Sequence, residues 1–269
     1  MIHVVALILY VGAFLFWLRF LLSGARGDGP RLASWLAGIG VVAHGAALSH
    51  YVLVYGELPL VGLGPALSSL SFSLGIGLVA TVLVVREAAR VGIVVIPLMV
   101  GLEAVALGMG VVPAPMALDF QGAWFALHVT LAFVGFQGLA LAFAAGLLFL
   151  AQFHEIKAKR LGSLFRFLPP LPVLDRVGRV GLWVGFGALT LALSLGWAWT
   201  VRYRGSFQWT DPKIVWSVVS WLVFVYALWA RRGSGGAYKG ALAVVTGFGV
   251  VVVSFLVVRF TAMGTGLFL

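Results

Sequence analysis

His44, His50, His128 and Glu103 stand inside apolar runs long enough to cross a bilayer. An ionisable side chain there costs roughly 2.5–3.5 kcal/mol on the insertion scale, so each is first read as a candidate for function. Neutral imidazole is the commonest side-chain ligand for a transition metal. The competing reading for any one of these histidines is a hydrogen bond to a neighbouring helix. His44 and His50 are six positions apart, about 120° around a helix, so when one faces a site the other is turned away. Glu103 has no Lys or Arg near it in sequence. It reads as a protonated group bonded to another helix, or as one station of a proton path. His3 and His154 fall at the ends of apolar runs, where a solvated histidine is expected.

A second group is strung along Trp197, Trp199, Arg202, Tyr203, Arg204, Phe207, Trp209, Asp211 and Lys213, followed by Trp216 and Trp221. Trp and Tyr alone would be explained by a belt at headgroup level. Interleaved Arg is not. Aromatic faces and guanidinium forks together suit a flat, apolar, dianionic ligand such as haem, with rings against the macrocycle and Arg on the propionates.

The elements that must position these residues follow from hydropathy. Of 269 residues, 62% are hydrophobic and 10% charged, against roughly 45–50% and 25% in soluble domains. A spanning helix needs about 20 apolar residues. Runs of that kind near 3–23, 32–54, 65–85, 92–112, 124–152, 179–201, 214–230 and 238–260 predict an all-α polytopic membrane protein with about eight transmembrane helices, forming a single transmembrane domain over 1–269. The breaks carry Gly and Pro: Ser23 to Pro30, Pro113 and Pro115, Pro169-Pro170-Leu171-Pro172, and Gly233 to Gly236. The first run lacks a basic leader and a small-residue cleavage site, so it reads as a retained helix, with the mature chain expected to begin at or near Met1. Glycines at 38, 40 and 45, at 75 and 77, and at 135, 138 and 146 predict close helix packing.

Charge sets the expected orientation. Arg26, Arg31, Arg86, Arg90, Lys157, Lys159, Arg160, Arg166, Arg176, Arg179, Arg231, Arg232 and Lys239 all fall in odd-numbered loops, which are therefore expected to face the cytoplasm. Both termini, together with His44, His50 and His128, then belong to the outer side. The net charge of +10 is scattered between apolar runs and not gathered on a polar face, so it points to anionic membrane lipid and away from nucleic acid. Cysteine is absent, which excludes disulfides, thiolate metal sites and a thiol nucleophile. The stretch 153–178 is expected to carry helix five out of the membrane and return along the headgroups.

The segment from Gly205 through Trp209, Asp211-Pro212-Lys213, Trp216-Ser217 and Trp221 to Tyr226 resembles the tryptophan-rich segment of the cytochrome c assembly family, the CcsA, CcmC and HemX-like membrane proteins. Leu127-His128-Val129-Thr130-Leu131-Ala132-Phe133 resembles that family's L-H-V-S-L-x-F, and the Ala43-His44 helix matches early in the chain. The approach to helix six, Leu168 to Asp175, and the run from Trp221 to Trp229 look more like the small eight-helix HemX-like and YpjD-like branch. The resemblance implies haem presented on the outer face of a bacterial inner membrane, with His128 as an iron ligand and Trp209, Asp211, Trp216 and Trp221 in the haem platform. Two departures stand out. The family's Trp-x-Trp is Gln208-Trp209-Thr210 here, and no histidine follows Arg259 where a second ligand is expected, leaving Met263 or His50 as candidates.

The function expected is therefore haem handling in cytochrome c biogenesis, with haem b as the cofactor. His128, His44, His50, Arg202, Arg204, Trp209, Asp211, Trp216 and Trp221 form the candidate site, and a partner membrane protein of cytochrome c maturation or haem synthesis is implied. The alternatives are a HemX-like non-catalytic regulator or scaffold, and a small transporter using Glu103, His44 and the serines Ser68, Ser69, Ser71 and Ser73. An enzyme with its own nucleophile is not expected, since no Ser-His-Asp spacing or metal motif stands out.

Overall fold

The computed structural model describes residues 1–24, 29–114, 122–159, 162–204 and 212–265. Among them the regular elements are helices: α1 (Ile2–Leu22), α2 (Gly29–Tyr55), α3 (Leu63–Val84), α4 (Gly92–Met109), α5 (Ala123–Lys157), α6 (Ser163–Phe167), α7 (Leu171–Arg204), α8 (Pro212–Ala230) and α9 (Gly236–Thr265), with a 3-10 turn at Arg86–Val91 before α4. Seven are long and apolar enough to cross a membrane, and α8 adds a shorter apolar stretch, Ile214–Ala230. The chain is an all-α, multi-pass membrane protein. Helix α1 shows why hydropathy finds it: its buried face, Ala6, Tyr10, Ala13, Trp17 and Phe20, recurs every three to four residues, while the rest is apolar surface for lipid.

Successive long helices run up and down. Tyr10 of α1 meets Gly40 of α2 and Phe20 meets Gly29; Gly64 of α3 meets Gly110 and Ser71 meets Met99 of α4. Gly185 of α7 meets Phe224 of α8, and Val223 of α8 meets Gly247 of α9. This alternation puts Arg19, Arg86, Arg90, Lys157, Arg176, Arg179, Arg231 and Lys239 at one end of the bundle, and His3, His44, Glu103 and His128 toward the other. Helix α5 is shared by two cores. Its small residues Ala140, Ala144 and Ala145 pack with α1 to α4, and Leu139 and Ala142 pack with α7 to α9.

The helix ends differ from the hydropathy windows for local reasons. Helix α7 begins at Leu171, eight residues before the expected start, because Pro172 lies in the first turn, where its missing N–H would be unpaired anyway. Pro30 does the same in α2. Helix α5 continues to Lys157, about 52 Å for its 35 residues, so it leaves the hydrocarbon as expected. The returning segment then buries more than headgroup contact requires. Phe167 is wedged under Trp17 and Phe20, and the Arg90 guanidinium donates to the Arg166 carbonyl. The glycines act as expected at Gly40, Gly45, Gly75, Gly77, Gly135, Gly138 and Gly146, each against a neighbouring helix, whereas Gly38 faces open space.

Candidate functional site

The predicted residues fall into two groups. The first is built by α1 to α4 around Glu103, which is completely buried. His3 Nδ1 lies 2.9 Å from Glu103 Oε1. His44 Nε2 lies 3.1 Å from Glu103 Oε2 and 2.9 Å from Ser68 Oγ, while its Nδ1 is 3.2 Å from the Tyr10 hydroxyl. Ser68 Oγ is also 3.3 Å from His3 Nδ1. One N–H on His44 Nε2 cannot serve both neighbours, and Glu103 Oε2 has no hydrogen-bond partner among the described residues. Two imidazoles, a carboxylate, a hydroxyl and a phenol from four helices thus meet in one polar knot.

His3 is a correction to the sequence reading. Its side chain is 15% exposed and bonded to Glu103, not solvated. The signal was present, since position 3 continues the buried stripe 6, 10, 13, 17 and 20 of α1. Tyr10, on the same stripe, was also missed. Glu103 is bonded to other helices as expected, and His50 faces outward on α2 while His44 is buried, as the 120° offset required. The serines do not line up as a file. Ser69 donates to the Pro59 carbonyl, Ser71 to the Met99 carbonyl, and Ser73 to Gln137 Oε1 at 2.6 Å.

The second group is built by α5 and α7. His128 is half-buried, and its Nδ1 donates to the Ala192 carbonyl at 2.7 Å, which fixes the tautomer and leaves Nε2 with a lone pair. The ring lies over Gly196, where an added β-carbon would sit 2.7 Å from Cε1. Arg202 is exposed near the end of α7, on the same end of the bundle as His128. The Arg204 side chain, Trp209, Asp211 and the Met263 side chain lie outside the described residues. Trp216 donates its indole N–H to the Val251 carbonyl and stacks on Phe136 at 4.7 Å. Trp221 donates to Thr190 Oγ1 and packs against Phe186. Both indoles are tied into the α5, α7, α8 and α9 core by these contacts. Among the described residues, no hydrogen bond or ring contact joins His128 to His44 or His50.

Similarity to known proteins agrees with this architecture. The profile of the family described as Cytochrome C assembly protein matches residues 38–265. Protein HemX of Bacillus subtilis (strain 168) is 25% identical over 230 residues, 84% of this chain and 82% of HemX. Cytochrome c biogenesis protein CcsA of Chlamydomonas reinhardtii is 28% identical over 154 residues, 57% of this chain and 41% of that protein. CcsA of Prochlorococcus marinus (strain AS9601) is 27% identical over 237 residues, 78% of this chain and 76% of that protein. With a profile match that runs from the middle of α2 to the end of α9, this chain belongs to the cytochrome C assembly protein family.

Proposed function

We propose that the protein works in cytochrome c biogenesis in a bacterial inner membrane, where it holds or presents haem at the outer face through His128 and the segment from Arg202 to Trp216. The observation that carries this reading is the His128 hydrogen bond. A ligating imidazole characteristically donates its other ring N–H to a carbonyl or carboxylate, which orients the ring and raises the basicity of the ligating nitrogen. His128 has that arrangement, with Nδ1–H on Ala192 and Nε2 without a partner among the described residues. Haem b, when bound, would supply an iron that the free Nε2 of His128 could hold. Gly196 leaves room for the ring against α7, and Arg202 is near enough to the end of the same helix to offer its guanidinium to a propionate. Orientation supports the outer face, because the cation-rich end lies opposite His128 and the cytoplasmic side retains Lys and Arg.

Purified protein in mild detergent, supplemented with haem, should give a reduced-minus-oxidised spectrum with a haem b band, and His128→Ala should lose most of it. The absence of any band in the wild type removes this reading.

The HemX match, which spans 82% of HemX and 84% of this chain, supports a second reading. In that reading the protein is a non-catalytic scaffold or regulator for a partner in cytochrome c maturation or haem synthesis, held through the exposed Lys157 and Lys159. Partner capture that survives charge reversal at both lysines would count against it.

A further inference from the structure

The knot around Glu103 is independent of His128 and has its own chemistry. We propose that His3, His44 and Glu103 form a binding site for one divalent first-row transition-metal ion within the membrane. Two imidazole nitrogens and one carboxylate on neighbouring helices are the donor set of the two-histidine, one-carboxylate sites that hold such ions with open positions. The three ligand atoms all lie within 4.8 Å of one another. Two of the separations, 2.9 Å from His3 Nδ1 to Glu103 Oε1 and 3.1 Å from His44 Nε2 to Glu103 Oε2, match the roughly 3.0 Å between adjacent donors when bonds of about 2.1 Å meet at right angles.

A second observation points the same way. Glu103 is 0% exposed, and its Oε2 lacks a hydrogen-bond donor although His44 Nε2 stands 3.1 Å away. No Lys or Arg pairs with this carboxylate among the described residues, so a cation at the centre would complete what the histidines leave open. Beyond the ligands, the Tyr10 hydroxyl lies 3.2 Å from His44 Nδ1 and can accept its N–H, holding Nε2 toward the centre. Ser68 Oγ, 2.9 Å from His44 Nε2 and 3.3 Å from His3 Nδ1, is placed as a fourth donor, an oxygen beside the carboxylate.

The donors belong to an ion and not to haem iron. The Glu103 carboxylate touches both imidazoles, so it fills the space that a macrocycle between two axial histidines would need. His3, in the first turn of α1 and 15% exposed, gives the ion its way in from the surface.

The test uses the full chain in mild detergent, stripped with EDTA and titrated with Zn²⁺ by equilibrium dialysis and with Co²⁺ by visible absorption. One ion per chain is expected. His3→Ala and Glu103→Gln should each weaken binding more than hundredfold, Tyr10→Phe about tenfold, and His154→Ala not at all. Binding should also weaken as pH falls, because protons compete for the same atoms. X-ray absorption of the zinc-loaded wild type should show two imidazoles and an oxygen shell near 2.0–2.2 Å, which keeps the proposal testable if a variant fails to fold. No stoichiometric binding, a spectrum without imidazole, or affinity unchanged in His3→Ala would overturn it and leave a hydrogen-bonded knot. Haem binding at His128 is read separately in the haem spectrum, so either reading can fail alone.

Discussion

Gly138→Ala adds a single methyl group where α5 and α7 approach backbone to backbone. A β-carbon there would lie 2.5 Å from the Gly181 carbonyl oxygen, 2.6 Å from Gly185 Cα and 2.8 Å from Gly185 N. All three are backbone atoms, so no rotamer change relieves the contact. Ordinary carbon contacts begin near 3.5 Å, so α5 and α7 must part by about 1 Å along their most extensive contact. Overpacking of this kind costs about 1–3 kcal/mol, and the better helix propensity of Ala returns up to about 1 kcal/mol. The expected net loss is about 1–2 kcal/mol, or roughly 3–6 °C in thermal midpoint. Gly187, also in α7, has nothing within 4 Å of an added β-carbon. Gly187→Ala should therefore be neutral or slightly stabilising. Midpoints of both variants in one detergent, followed by circular dichroism, compare them directly. A Gly138→Ala midpoint equal to or above that of Gly187→Ala would refute the close-packing argument.

Gly196→Ala should push the His128 ring off the Ala192 carbonyl and lower haem affinity about tenfold; an unchanged titration of the Soret band would mean the ring's seat is immaterial. Because the chain has no Cys, single cysteines report orientation cleanly. His50→Cys should react with an impermeant thiol reagent added outside intact cells, and Arg232→Cys only after permeabilisation; the reverse pattern would invert the topology. Asp175→Asn removes the carboxylate that Arg231 bonds across α7 and α8 at the cation-rich end and should cost about 1–2 kcal/mol. A thermal midpoint unchanged from wild type would make that pair ornamental.

Hydropathy located every long helix because lipid imposes a length and forbids unpaired backbone, and both constraints are local in sequence. What it could not supply was rotation. His44 and His50 were separable by angle alone, but which of them is buried depends on where α1, α3 and α4 sit around α2. His3 was misread for the same reason: a helix-end position says nothing of a glutamate 100 residues away that reaches it. Motif resemblance singled out His128 but not the carbonyl that orients it, since Ala192 contributes only backbone.

The α5 and α7 contact advances in step along both helices. Gly138 meets Gly181 and Gly185, Gly135 meets Leu189, and His128 meets Ala192 and Gly196. At Gly138 the crossing is backbone on backbone, so no layer of side chains can reshuffle at that point. The height of the His128 imidazole is thus graduated by the main chain, like a mark cut on a ruler. A change of lipid or detergent can loosen the apolar skin of the bundle while the nitrogen keeps its station.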